Sequence, residues 1–232
     1  MVGQMLGNYG IVKLMINHRI AKNKPFFIRI GFLLFGPLII RFFGYPFNNC
    51  SRDRAKLVMQ YLEPKKDETI LDFGCGIGYY CFELNKKYGC KTIGVDIDNE
   101  DIDLADKIKR LLRLKNIDFI KGSLDYKKYE SFFDKIIVSE VLEHIEDDKY
   151  IIENLTSLLK KDGKMIVTVP FSRNPIEFKE QHKKLSGVEG GHVRSGYNVE
   201  YFIKKLANLP LQIIGENYSC KGTNLILTLK RS

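Results

Sequence analysis

From residue 69 onward, short apolar runs alternate with longer segments of helical period, the pattern of βαβ units around a parallel sheet. The runs "TILDF", "KTIGVD", "IDFIK", "FFDKIIVS" and "KMIVTVP" predict five strands. Between them, Leu104, Ala105, Ile108, Leu111 and Leu112 form a helical stripe, with Glu100 and Asp101 in the first turn, where a helix N-terminus favours negative charge. A second stripe of Ile151, Ile152, Leu155, Leu158 and Leu159 is closed by Lys160, Lys161 and Gly163, a basic last turn followed by a glycine stop signal. Residues 171–195 are polar, rich in Lys, Gly and Ser, and too long for an ordinary connection of a few residues, so a functional loop is expected there. A helix near residues 198–207 follows, and then "LQIIGEN" and "TNLILTLK", close enough to pair as an antiparallel hairpin at the sheet edge.

Length and composition narrow the class. With 232 residues, 44% hydrophobic and 28% charged, the chain has room for one sizeable core and an appendage, and collagenous, mucin-like and disordered classes are excluded. Charge changes the picture more. Residues 1–56 carry nine Lys or Arg against the single acid Asp53, which accounts for nearly all of the net +9. The division expected is an apolar and basic arm over residues 1–50 and a catalytic-size domain over 51–232.

Within the arm, "FFIRIGFLLFGPLIIRFF" has only eleven consecutive residues free of charge, Ile30 to Ile40, and Gly36 with Pro37 interrupts a helix; about twenty residues are needed to span a bilayer. Two readings stay open: an interfacial anchor on anionic lipid through residues 1–45, and a lid folded over the active site. The five cysteines, Cys50, Cys75, Cys81, Cys90 and Cys220, make no CxxC pair and lie near no histidine at zinc spacing. Free thiols, a reducing cytoplasm with at most peripheral membrane contact, and no metal are the corresponding expectations. The first twelve residues show no charged stretch ahead of an apolar one, so no signal peptide is read there.

"LDFGCGIGYY" places Gly74, Gly76 and Gly78 directly after the first strand, where parallel sheets cradle ligands. Glycines there let backbone N–H groups approach a ligand closely. Asp96 closes the second strand eighteen residues after Gly78, in place to accept hydrogen bonds from a ribose diol. Asp72, two residues before the first glycine, would repel a pyrophosphate and suits an ammonium group. On these residues, "ILDFGCGIG" followed by "IGVDID", with "FDKIIVSEVLEHI" and "LLKKDGKMIVTVP" further on, the sequence over residues 68–230 resembles the class I S-adenosylmethionine-dependent methyltransferases.

The resemblance implies an α/β fold: a Rossmann-like open sheet of about seven strands, mostly parallel, with an antiparallel edge hairpin and helices on both faces. It implies S-adenosylmethionine as cofactor, its methionine part held by Asp72 and the loop of Gly74, Cys75, Gly76 and Gly78, its ribose by Asp96, and its adenine against Ile97. Where many members have an acid after strand three, this chain has Ser123 and Leu124 beside the adenine position; Ser139 and Glu140 are similar in position to residues that line the cofactor. Methyl transfer is then an in-line displacement to O, N or C of a small-molecule or lipid-like acceptor. For an acceptor that must lose a proton, His144, Glu143, His192 and Tyr197 are the candidate catalytic groups. DNA methylation is disfavoured: "SEVLEH" replaces the Asn/Asp–Pro–Pro segment of amide methyltransferases, and no cysteine adjoins a proline. RNA as acceptor, and a non-catalytic partner subunit docking through the arm, are the alternatives.

Overall fold

The computed structural model describes residues 49–178 and 191–232. The arm and the middle of the polar loop, with His182, Lys183 and Lys184, lie outside the described residues. Seven strands form one sheet in the order β3-β2-β1-β4-β5-β7-β6. They are β1 (Thr69–Phe73), β2 (Lys91–Asp96), β3 (Ile117–Lys121), β4 (Phe133–Ser139), β5 (Leu159–Pro170), β6 (Leu211–Ser219) and β7 (Asn224–Arg231). The first five run parallel, and β7 pairs antiparallel with both β5 and β6. The hairpin is therefore at the edge as expected, with its second strand inserted next to β5.

Consecutive apolar residues in the strands point alternately to two covered faces. Ile70, Ile137, Ile166 and Ile226 pack with Val58 and Leu62 of helix α1 (Asn49–Leu62) and Leu84 of α2 (Tyr79–Tyr88). Their neighbours Leu71, Ile136, Val138, Met165, Val167, Leu225 and Leu227 pack on the opposite face with Ile152, Leu155 and Leu158 of α4 (Asp148–Leu158) and Phe202 of α5 (Val199–Leu206). Helix α3 (Asn99–Leu112) buries Leu104, Ala105 and Ile108 against α2 and β3, while the Leu111 side chain lies outside the described residues. Asp98 caps α3 by accepting from the Glu100 and Asp101 amides. Among the described residues no helix is long and apolar enough to cross a membrane.

Two expectations are corrected. Helix α4 stops at Leu158 rather than running through the lysines, and Leu159 already has extended backbone. The chain passes directly into β5, whose register on β4 jumps between the Phe133–Leu159 and Lys135–Lys164 pairs. Gly163 serves this irregularity: a Cβ there would sit 2.9 Å from the Lys160 carbonyl oxygen and 3.0 Å from that of Asp134. It is thus a close-approach glycine inside a strand, and its reading as a helix stop signal fails.

The second correction is that Cys50 and Cys220 form a disulfide, leaving Cys75, Cys81 and Cys90 as free thiols. Disulfides persist in oxidising surroundings, so the expected reducing compartment loses its support. The bond ties α1 to the turn between β6 and β7 across 170 residues of sequence. A closed loop of that length restricts the unfolded chain by about 5 kcal/mol in the chain-entropy model. Cys220→Ser is accordingly expected to lower the melting temperature by several degrees. Reductant should lower that of the wild type equally and leave the variant unchanged, as read by thermal unfolding monitored by circular dichroism.

Candidate active site

The order of the sheet reverses between β1 and β4, and a parallel sheet binds ligands beyond its strand ends at such a point. The turn after β1 is fastened to the end of β2. The Gly74 and Cys75 amides both donate to the Val95 carbonyl, at 2.8 and 3.0 Å, and the Gly76 amide donates to Asp96 Oδ2 at 2.7 Å. Asp96 Oδ1 accepts from the Asp98 amide at 2.9 Å, and the Asp96 carbonyl from the Gly122 amide at 2.8 Å. Gly74 has φ +74°, and a Cβ on it would lie 2.3 Å from Val141 Cγ2. Any side chain there would push the turn off the β4 loop.

These strand ends open into a cavity of about 660 Å³. Asp72 lines it from β1, yet only 2% of the residue is exposed. Burial is the main reason its carboxyl is pushed up to about 7; the Cys81 thiol, 3.7 Å away, opposes the shift and the Asp96 charge adds to it. Burial likewise holds the Cys75 and Cys81 thiols well above their ordinary range, so neither serves as a nucleophile.

Opposite Asp72, Ser139 shares a 3.0 Å hydrogen bond with the Thr168 hydroxyl. Glu140, at φ +57°, turns its carboxylate toward β7 and α1. There it accepts from Asn224 Nδ2 at 2.8 Å and from the Thr168 hydroxyl at 3.2 Å, and pairs with Arg54 at 3.2 Å. Arg54, Tyr79 and Tyr80 line the cavity and were missed by the sequence reading. Arg54 sat beyond the glycine motif, in a segment with no recognised element, although Ala55, Val58 and Leu62 at helical spacing marked α1 as packed on the sheet.

Asp72, Gly74, Cys75, Gly76, Asp96, Ile97, Ser123, Ser139, Glu140 and His144 are brought together around this cavity. Two residues expected there are elsewhere. Gly78 precedes α2 and donates to the Cys75 carbonyl, closing the turn; the Leu124 side chain is buried in the core, because its neighbours on that face are apolar. Of the catalytic candidates, His144 lines the cavity and its ring meets that of His192 edge-on, centroids 4.7 Å apart. Glu143 lies buried behind them, its carboxyl raised to about 8 chiefly by burial and then by the Glu140 charge.

Tyr197 is corrected from a catalytic to a structural group. It is fully buried, donates to Asp148 Oδ2 at 2.8 Å and accepts from Arg194 Nη1 at 2.8 Å. The same Arg194 donates to the Leu142, Ile145 and Glu146 carbonyls, and Val193 N–H donates to the Glu143 carbonyl at 2.8 Å. This network holds the far limb of the polar loop on the turn that carries Glu143 and His144.

A family model for a methyltransferase domain matches residues 64–209. The chain belongs to the methyltransferase domain family. Ajmaline N-methyltransferase of Rauvolfia serpentina is 26% identical over 65% of this chain and 54% of its own. Ubiquinone biosynthesis O-methyltransferase of Pelagibacter ubique is 32% identical over 45% and 43%. The chain thus spans about half the length of these relatives. Geranyl diphosphate C-methyltransferase of Streptomyces coelicolor A3(2), solved with Mg2+, geranyl-S-thiolodiphosphate and S-adenosyl-L-homocysteine, shares the fold at a TM-score of 0.65, with 12% identity over 77% of this chain and 75% of that one.

The architecture is that of the class I S-adenosylmethionine-dependent methyltransferases, and the residues fit that cofactor. Two carboxylates on adjacent strand ends line one cavity, a buried one that suits an ammonium and one with lone pairs left for a diol, while exposed Ile97 offers an apolar surface for a base. Asp72 also gives a test without any ligand. Its carboxyl is raised in the folded state, so above pH 4 folding has to keep a proton on it or bury a charge, a cost that grows as pH rises to about 7 and is then constant. Asp72→Asn is expected to melt several degrees above the wild type at pH 8, with the gap closing as pH falls toward 4. Calorimetric scans of the cofactor-free protein read this directly.

Proposed function

We propose that the chain transfers a methyl group from S-adenosylmethionine to O, N or C of a small, apolar or lipid-like acceptor. The observation that carries this reading is the placement of Asp72 and Asp96 at adjacent strand ends on either side of the glycine turn, both lining the same cavity. Bound cofactor supplies a methyl group already activated on a sulfonium. The chain has to align it and keep water out, and alignment of that kind supplies roughly 7–11 kcal/mol of the barrier. Val141, Ile145, Ile151 and Tyr126 give the cavity an apolar wall next to His144, which supports an apolar acceptor entering there. His144 presents an imidazole at that end for an acceptor that must lose a proton. The greasy, basic residues 1–45 suit delivery of such an acceptor from an anionic lipid surface.

Incubation of the full chain with methyl-labelled S-adenosylmethionine and a cell extract should yield a small molecule carrying the label; absence of any labelled product would refute turnover. For Asp96→Ala, calorimetry with S-adenosylhomocysteine should show affinity lowered by about tenfold or more, roughly 1.4 kcal/mol, with the protein still folded. Asp96→Asn, which keeps one acceptor for Gly76, should lose less. Equal affinity in all three proteins contradicts the ribose assignment. His144→Ala should slow transfer while binding S-adenosylhomocysteine nearly as well as wild type; full activity would remove His144 from the site.

A further inference from the structure

The 3-10 turn Leu142–His144 and the far limb of the polar loop bring Glu143, His144 and His192 into one cluster, with one potential ligand atom from each within 4.8 Å of the others. The grouping is built by the fold. Val193 N–H donates to the Glu143 carbonyl, and Arg194, 1% exposed, donates to carbonyls on both sides of it, so His192 is held opposite His144. Glu143 supplies a second, independent observation. It is only 1% exposed, and its Oε2 is buried with no hydrogen-bond partner, an arrangement that is unfavourable for a polar group left unsatisfied.

Nearby cations do not satisfy it. Arg54 is paired with Glu140 at 3.2 Å, and Arg194 with Asp148 at 3.2 Å. The Glu143 carboxylate therefore lies beside two imidazoles, while the Arg54 and Arg194 guanidinium groups pair with other acids and Arg194 Nε is itself without a partner.

We propose that Glu143, His144 and His192 form a binding site for a divalent transition-metal ion at the acceptor end of the cavity. Two imidazoles and a carboxylate on one side, leaving positions open on the other, suit zinc, manganese, iron or cobalt; magnesium and calcium prefer all-oxygen shells. Bonds of about 2.0–2.2 Å require ligand atoms roughly 3–3.5 Å apart, which rotation of the exposed His144 and half-buried His192 side chains can reach from the present spacing. His144 lines the cavity, so the open positions face it. A hydroxyl coordinated there ionises more readily, its proton passing to water, and its oxygen is then the nucleophile. Only that last consequence rests on the methyl-transfer reading; the site itself does not.

Metal-stripped full chain titrated with Co2+ is expected to develop visible d–d absorption saturating at one ion per chain and abolished by one equivalent of Zn2+. His192→Asn and His144→Asn, both at accessible positions, should each weaken Co2+ binding by roughly tenfold or more with unchanged circular dichroism, and Glu143→Gln should do the same. If no saturable spectrum appears, or if both histidine variants bind Co2+ as the wild type does, the site does not exist. S-adenosylhomocysteine binding, measured alongside, separates the two readings. Cofactor affinity without metal uptake overturns the metal site alone; metal uptake without cofactor affinity leaves the site standing and overturns the methyl-transfer reading.

Discussion

The hydrogen bond from the Gly76 amide to Asp96 Oδ2, 2.7 Å long, is the link on which the cavity depends. Three consecutive amides follow the end of β1, and backbone donors buried without partners are costly. Val95 absorbs two of them through one carbonyl, and Asp96 takes the third with its side chain. The turn is thereby folded back across the end of β2, leaving its concave side open to the cavity. A carboxylate suits this position because it can accept from Gly76 and Asp98 together and still have lone pairs to spare. The residue that shapes the cradle is thus also the one proposed to hold the cofactor's ribose.

A second constraint acts from the other side of the sheet. Asp148, at the start of α4, is 1% exposed and accepts Tyr197, Arg194 and Lys205 at 2.8, 3.2 and 2.9 Å. A buried pair of this kind adds little net stability, but loss of either partner strands a charge, at about 3–5 kcal/mol. Its effect is positional. Arg194 reaches from the described far limb of the polar loop to three carbonyls around Leu142–Glu146, so that limb, the turn and the helix are tied together. Glu177 and Arg194 also form an isolated antiparallel bridge, and the Phe178 amide donates to the Val193 carbonyl at 2.7 Å. The described limbs of the loop are therefore zipped together at their base, where His192 emerges.

What could be read from the sequence was what local chemistry dictates. Five strands were marked by apolar runs, and Asp72, the glycines and Asp96 by their spacing around a strand end, because turn geometry and strand burial are short-range properties. What escaped depended on contacts distant in sequence. Nothing near Cys50 announces Cys220, 170 residues on. Arg54 gains meaning only through Glu140, and the role of Tyr197 only through Asp148 and Arg194. Its phenol looked like chemistry because it followed a histidine and an arginine in a polar loop; burial decides otherwise. The end of α4 was misplaced for the opposite reason, since the local signals of lysines and glycine were sound and the register demanded by β4 overrode them.

Acidic groups line the cavity or lie just behind it, and their environments set them apart. Asp72 is buried against a thiol, and desolvation raises its carboxyl to about 7. Glu140 is fully engaged by an arginine, an amide and a hydroxyl. Glu143 has an oxygen with no partner. One fold has thus made three different acids from the same functional group: one buried beside a thiol, one spent on binding α1 to the sheet, and one with an oxygen that no described group satisfies. The proposed cofactor would bring a cation to the first of these, and no described side chain hydrogen-bonds the free oxygen of the last. The strand-end side of the cavity and the turn behind its loop side thus each hold a buried acid that a positive charge would complement.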